Sequence, residues 1–271
     1  MKFRLLENVL FEDKMVRFGN ELAPKYGWCV IFIGGPGSGK GTATNLAVNI
    51  QGKKFDPDDL KQDKVIKLLG IDKQLKTPEN ERTLDNPEYV GELHTLTEPI
   101  KNKVMQKQLD MGKNYPTELL PNIIFDVVGS TGKFNEIIPA VKELGYKVAI
   151  VWTLTSVEKA WLQNLTRSRH VRQSVLYGGH LKVIEAVEKL FSSSLLNDVD
   201  DFWVIDNLNA VELKKLPNGK IDPNSEYAYR RDTNVYHVKT IPNGFEEFKN
   251  LMAIIDDNKE YLKNDPANDD F

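Results

Sequence analysis

The sequence predicts an α/β fold in which a mostly parallel five-stranded sheet carries helices on both faces. Short apolar segments, rich in β-branched and aromatic residues, alternate along the chain with amphipathic segments of helical spacing. This alternation predicts strands joined by crossover helices, which makes neighbouring strands parallel. A glycine-rich loop also follows the first strongly apolar segment and precedes a helix. The predicted strands are 28–33, 53–55, 123–125, 148–153 and 202–206, and the main predicted helices are 43–50, 89–111, 134–144, 156 to beyond 165, and 180–196.

Both ends of the chain are predicted to lie outside this alternation. Apolar residues between 5 and 22 are spread among charges as on an amphipathic helix packed beside the core. Near the other end, residues 216–220 have the turn chemistry of a hairpin, 236–240 have the character of a strand, and 243–263 that of a last helix.

The core is predicted to contain an insertion. Residues 62–90 are mostly polar and rich in turn residues, and the long helix that follows contains Pro99, which is expected to kink or break it. We interpret this region as an exposed insertion or lid near the acceptor. The predicted organisation is an N-terminal helix and linker at 1–27, a core at 28–206 with the acceptor or lid insertion at 62–118, and a C-terminal hairpin and helix extension at 207–271.

Composition narrows the class of protein. The 271 residues carry 36 Lys and Arg against 39 Asp and Glu, a net charge of −3, which argues against a broadly basic nucleic-acid-binding surface. Cys29 is the single cysteine, so an internal disulfide is excluded and a reducing cytoplasm is expected. No apolar run approaches the roughly 20 residues of a membrane span, and we expect a cytoplasmic protein without a membrane partner.

The glycine-rich loop has the sequence of a phosphate-binding loop. Glycines allow consecutive backbone N–H groups to turn toward a phosphate chain, and the following helix N-terminus adds unpaired donors. Because Gly41 stands where a magnesium-binding Ser or Thr usually follows the lysine, Thr42 is expected to contact an α-phosphate, with Mg²⁺ held through water and carboxylates. The predicted ATP-binding residues are Gly35, Pro36, Gly37, Ser38, Gly39, Lys40, Gly41 and Thr42.

Acidic and basic groups stand where a phosphoryl-transfer site needs them. An aspartate cluster at 56–59 and Asp126 directly follow predicted strands, and carboxyl ends of parallel strands meet at one edge of the sheet. One aspartate can accept a proton from an alcohol and another can hold Mg²⁺ through water. Arg167, Arg169 and Arg172 supply cations against the developing charge. The four histidines lack metal-ligand spacing and are expected to be surface or core residues.

Over residues 28–205 the chain resembles the zeta-toxin-type P-loop kinases, which phosphorylate hydroxyl groups. The loop and the run Asp56-Pro57-Asp58-Asp59-Leu60-Lys61 carry the resemblance most specifically. It implies a P-loop kinase core in which Asp58 is the catalytic base and a magnesium ligand. It also implies that Asp126, where glutamate is usual, contacts the acceptor or metal. Lys40, Arg167 and Arg172 are the implied catalytic cations, with Arg169 as an acceptor-binding residue or a replacement for either arginine.

The implied function is ATP- and Mg²⁺-dependent transfer of the γ-phosphoryl group to a hydroxyl acceptor. The acceptor stays open between a small molecule, a nucleotide sugar and a modified DNA base, and no protein partner is indicated. Relatives that phosphorylate 5-hydroxymethyluracil in phage DNA give one alternative. Nucleoside monophosphate kinases give another, although their Asp-Gly-Phe/Tyr-Pro-Arg run is replaced here by Asp126-Val127-Val128-Gly129-Ser130. A non-catalytic nucleotide-binding switch is a further alternative from a different class.

Overall fold

The computed structural model describes residues 15–18, 21–24, 26–41, 48–84, 86–116, 119–166, 171–207 and 235–237. Its strands are β1 (Met15–Phe18), β2 (Glu21–Pro24), β3 (Trp28–Ile33), β4 (Val48–Asn49), β5 (Lys53–Phe55), β6 (Ile123–Asp126), β7 (Lys147–Leu154), β8 (Asp201–Asp206) and β9 (Val235–His237). Its α-helices are α1 (Asp63–Leu68), α2 (Pro87–Met111), α3 (Thr131–Glu143), α4 (Val157–Thr166) and α5 (Gln173–Phe191), and short 3₁₀ turns include Pro57–Lys61.

The main sheet confirms the predicted α/β fold. In the described part of the chain its strand order is β5-β6-β3-β7-β8-β9, and the first five strands are parallel. The edge strand β9 pairs antiparallel with β8. All five strands predicted for the core therefore lie in one sheet, and β3, which precedes the glycine loop, occupies a central position.

The two faces of the sheet are covered differently. Helices α2 to α5 all contribute buried side chains to the cluster on one face, together with residues such as Ile31 and Phe125. On the opposite face Val30 and Phe32 pack with Val48 of β4, and Ala23 of β2 lies against the same cluster. Alternate residues of β3 thus point to opposite faces, and both faces are buried, as expected for a parallel sheet.

A small second sheet corrects two helix predictions. Strands β1, β2 and β4 form an antiparallel sheet in the order β2-β1-β4, so the predicted helix over 5–22 is wrong where it is described. The predicted helix 43–50 likewise ends in strand β4, with Phe18 opposite Val48. Val48 is buried against the main sheet, and this long-range packing outweighs the helical periodicity of the local sequence. Residues 1–14 and 42–47 lie outside the described part.

The insertion has its own small core. Ile66, Ile71, Tyr89 and Leu93 form a buried cluster between α1, the 3₁₀ turn after it and the start of α2. Helix α2 continues through Pro99, so the predicted break is wrong. Two other helices start earlier than predicted, α3 at residue 131 and α5 at residue 173.

Two further predictions concern the ends of the chain and the membrane. The hairpin turn at 216–220 and the helix at 243–263 lie outside the described residues, whereas the predicted strand near 236–240 overlaps β9. Within the described ranges, no helix combines the length and the apolar character that crossing a membrane requires.

Candidate active site

The glycine loop connects the end of β3 to a helix that begins at Lys40. Gly37 and Gly39 have φ angles of 75° and 78°, which side-chain-bearing residues rarely adopt. A Cβ atom on Gly37 would lie 2.4 Å from the carbonyl oxygen of Ala160 in α4. Only glycine fits this position because both the backbone conformation and the space demand it.

Donors from the surrounding core hold the outward-facing carbonyl groups of the loop. The Ser38 carbonyl accepts hydrogen bonds from Thr155 Oγ1 at 3.0 Å and from Asn207 Nδ2 at 2.8 Å. The Pro36 carbonyl lies 2.9 Å from His180 Nε2. In a planar trans peptide the C=O and the next N–H point in opposite directions, so each held carbonyl turns the following amide away from its donor. The loop is thereby prepared to present amides to an anion.

The structure brings together two predicted site residues, Lys40 and Asp126. The Lys40 ammonium lies 3.2 Å from Asp126 Oδ1 and donates hydrogen bonds to the carbonyls of Val127 at 2.8 Å and Gly34 at 3.3 Å. Both charged side chains are mostly buried, with 18% and 16% exposure. The carboxylate therefore occupies one hydrogen-bonding position of the Lys40 ammonium.

Lys54 is a site residue that the sequence analysis did not identify. Its ammonium lies 3.1 Å from Asp126 Oδ2 and 3.0 Å from Asp56 Oδ2, so Lys40 and Lys54 contact different oxygens of Asp126. Burial acts to lower the pKa of the Lys54 ammonium, but the hydrogen bonds and charges of Asp56 and Asp126 outweigh it and raise that pKa above its ordinary value. The available signal was a lysine inside a short strand that leads directly into the aspartate cluster.

The aspartate cluster divides into a cap and a candidate base. Asp56 is the N-cap of the turn Pro57–Lys61, and its Oδ1 accepts a hydrogen bond from the Asp58 backbone N–H at 3.0 Å. The Asp58 carboxylate is 45% exposed and lies 3.1 Å from the Lys61 ammonium. The exposed Asp59 accepts a hydrogen bond from Gln62. The backbone N–H of Asp58 is thus connected to the Lys40–Asp126 pair through Asp56 and Lys54, while the Asp58 carboxylate contacts Lys61.

Of the predicted arginines, the structure describes Arg172. It is the residue before α5, and its Nη2 lies 3.2 Å from Glu88 Oε1 at the start of α2. Arg167, Arg169 and the loop residue Thr42 lie outside the described residues. The guanidinium of Arg172 is therefore held by the insertion in this structure.

His180 is a buried core residue, as expected for the histidines, and it also contacts the glycine loop. It is buried on α5 beneath the loop, and burial, with a smaller contribution from the Lys40 charge, outweighs the opposite effect of the Pro36 hydrogen bond and lowers its pKa to about 4. The ring is consequently neutral near pH 7. Because a carbonyl only accepts, the Nε2 atom facing Pro36 carries the proton.

Comparisons with known proteins give structural neighbours only. No family model matches the chain, and no curated protein matches it. A solved chain of the PezAT chromosomal toxin–antitoxin system of Streptococcus pneumoniae is 12% identical, with a TM-score of 0.47 and coverage of 97% of this chain and 96% of that one. A chain of the AvrRxo1-ORF1:AvrRxo1-ORF2 complex with ATP is 11% identical, with a TM-score of 0.48 and coverage of 88% and 76%. A chain of the same complex with sulphate ions is 11% identical, with a TM-score of 0.48 and coverage of 89% of this chain and 76% of that one.

Proposed function

We propose that this chain is an ATP-dependent kinase that transfers a γ-phosphoryl group to a hydroxyl acceptor. The observation that carries the proposal is the contact of the Lys40 ammonium with Asp126 below a glycine loop, at the edge where Lys54 and Asp56 continue the cluster toward Asp58. A phosphate cradle, cations and a half-exposed carboxylate are the parts that phosphoryl transfer requires.

Binding of ATP in this proposal begins with an exchange of anions at Lys40. The β- and γ-phosphate oxygens take the place of Asp126 Oδ1 on the Lys40 ammonium, while Lys54 remains with Asp126 Oδ2. The loop amides receive the phosphate chain at the same time. Asp126 then stands beside the γ-phosphate and is able to position the acceptor.

Asp58 is proposed to accept the proton of the acceptor hydroxyl as that oxygen attacks the γ-phosphorus atom. Its carboxylate is open to solvent on one side and fixed by Lys61 on the other, so an alcohol can approach it. Arg172, together with Arg167 or Arg169, is proposed to neutralise the charge on the transferring group once Arg172 leaves Glu88.

The carboxylates fit Mg²⁺ as a cofactor bound in the usual way of kinases. Among the described residues no group of three or more His, Cys, Asp or Glu side chains forms a metal cage. Mg²⁺ characteristically takes one or two carboxylates and completes its shell with waters and phosphate oxygens. Asp126 and Asp58 would hold it through water, and it would neutralise charge on the β- and γ-phosphates.

The test is transfer of label from [γ-³²P]ATP to a panel of acceptors. The panel contains alcohols from a cell extract, nucleotide sugars, nucleoside monophosphates and DNA with hydroxymethylated bases. We expect one class to become labelled by the wild-type chain, and Asp58→Asn to lose at least about 100-fold in turnover while it still binds ATP. Asp59→Asn is the matched control because Asp59 is an exposed neighbour bound to Gln62.

Each alternative has its own outcome in this assay. Near-normal turnover of Asp58→Asn would show that the base is assigned wrongly. Labelled DNA, with binding that weakens steeply with salt, would support the DNA-directed kinase. Labelled nucleoside diphosphate would support a monophosphate kinase. ATP binding without a labelled product from any acceptor would support a non-catalytic switch.

A further inference from the structure

The outer side of the phosphate loop lies directly against helix α5. Pro36, at the tip of the loop, contacts Gly179, and the His180 ring lies under Gly35. No sequence motif of a phosphate loop includes this helix, which starts more than 130 residues later in the chain. The contact therefore adds a wall to the loop that the proposed mechanism does not use.

Two adjacent glycines of α5 differ in how they meet the loop. A Cβ atom on Gly179 would lie 2.6 Å from Pro36 Cδ and 3.1 Å from Pro36 Cγ, whereas a Cβ atom on Gly178 would meet no atom within 4 Å. The proline ring is fused to the loop backbone, so it cannot move aside without moving the loop. Position 179 therefore requires glycine because the loop is close, whereas position 178 has no such constraint.

The next residue, His180, fixes the orientation of a loop peptide. Its Nε2–H donates to the Pro36 carbonyl at 2.9 Å, and the opposed geometry of the peptide turns the Gly37 N–H to the other side. A Cβ atom on Gly35 would lie 2.3–2.4 Å from the imidazole atoms, so the ring also fills the space beneath Gly35. The buried ring is neutral, which keeps Nδ1 unprotonated and Nε2 as the donor.

We propose that Gly179 and His180 of α5 together form a wall against the phosphate loop and set the conformation of that loop. In this proposal His180 is a positioning residue for triphosphate binding. The ligand class is a nucleoside triphosphate, and in this respect the inference rests on the proposed function. His180 acts through the Pro36 carbonyl and the Gly37 amide rather than by contact with phosphate.

The glycine pair gives a matched test. Gly178→Ala and Gly179→Ala both replace a helical glycine, and both gain a similar helix propensity. The binding of MgATP to the full chain is measured by isothermal titration calorimetry, with thermal unfolding measured in parallel. We expect Gly178→Ala to bind within about twofold of wild type and Gly179→Ala to bind at least about tenfold more weakly.

Substitutions of His180 separate the hydrogen bond from packing. Gln and Met have similar length and shape, but only Gln offers an Nε2–H donor. We expect His180→Met to weaken MgATP binding at least about tenfold and His180→Gln to restore it to within about threefold. Val187→Ala, in the buried part of the same helix, controls for general loss of stability and is expected to lower the melting temperature without changing the dissociation constant.

The outcomes distinguish this inference from the kinase proposal. If the wild-type chain binds MgATP and Gly179→Ala and His180→Met bind it equally well, the wall is refuted and the kinase stands. If the variants differ as expected but no acceptor is ever phosphorylated, the kinase is refuted and the wall stands. A wild-type chain that binds no triphosphate overturns both.

Discussion

Replacing Asp126 with asparagine should make the chain bind ATP more tightly when no metal is present. The Asp126 carboxylate lies 3.2 Å from the Lys40 ammonium, so a phosphate oxygen that binds this ammonium in the proposed way has to displace it. Asparagine has the same shape and keeps an oxygen acceptor, but it removes the charge that competes with phosphate. The substitution therefore lowers the cost of releasing Lys40.

The magnitude follows from the geometry of the pair. Two unit charges at 3.2 Å attract by about 5 kcal/mol at an effective dielectric constant near 20. Most of this is offset by desolvation of the two groups, and the hydrogen bonds of Lys40 to Val127 and Gly34 remain after the substitution. A net gain of about 1–2 kcal/mol is left, which corresponds to roughly 5- to 30-fold tighter binding.

The assay is calorimetric titration of ATP in EDTA, which removes the contribution of a metal held by Asp126. Asp56→Asn is the control, because Asp56 contacts Lys54 but not Lys40 in the structure, and asparagine is an equally good N-cap. Equal or weaker binding by Asp126→Asn would refute the competition. An equal gain in Asp56→Asn would assign the effect to general repulsion between the cluster and the triphosphate.

Three more predictions concern the loop, pH and the insertion. Gly37→Ala should abolish measurable ATP binding in calorimetry, because its Cβ would lie 2.4 Å from the Ala160 carbonyl oxygen and its φ is 75°. The free energy of unfolding, measured in urea, should rise as the pH increases from about 4 to 6.5. Burial lowers the His180 pKa to about 4, so in this range the imidazole is protonated in the unfolded chain but neutral in the folded one. The His180→Gln variant should show a smaller rise. The exposed Arg172–Glu88 pair should show a coupling energy below about 1 kcal/mol in a double-mutant cycle followed by thermal unfolding, and a larger value would indicate a lock on the insertion.

The parts of the fold that the sequence predicted correctly are those that depend on local pattern. Four of the five parallel strands, β3, β6, β7 and β8, show a buried apolar run. A loop that contains Gly37 and Gly39 between a strand and a helix is typical of phosphate binding. Asp126 was predicted to meet the loop because both follow strands, and the contact with Lys40 confirms that placement. These inferences need no knowledge of which strands are neighbours beyond the rule that parallel carboxyl ends coincide.

The parts that were missed depend on pairing between distant segments. The pairing of β1 with β4 converts residues on both sides of the loop into a second sheet, which no local periodicity indicates. Lys54 reaches Asp126 because β5 pairs with β6 and sets Lys54 opposite Ile124, two residues before the aspartate. Sequence spacing alone does not identify the ion-pair partner of a lysine in a strand.

The contact between helix α5 and the glycine loop was also missed, and it bears on the chemistry. It begins next to Arg172 and reaches the loop at His180, a distance of about 12 Å along the axis at 1.5 Å per residue. A helix is stiff over two turns, so the contact with Pro36 also fixes the distance between the loop and Arg172. A change that pushes Pro36 away should therefore displace the phosphate cradle relative to the arginine. Gly179→Ala should then lower turnover by more than its loss of affinity explains, whereas a wall that served binding alone would leave turnover at saturating ATP unchanged.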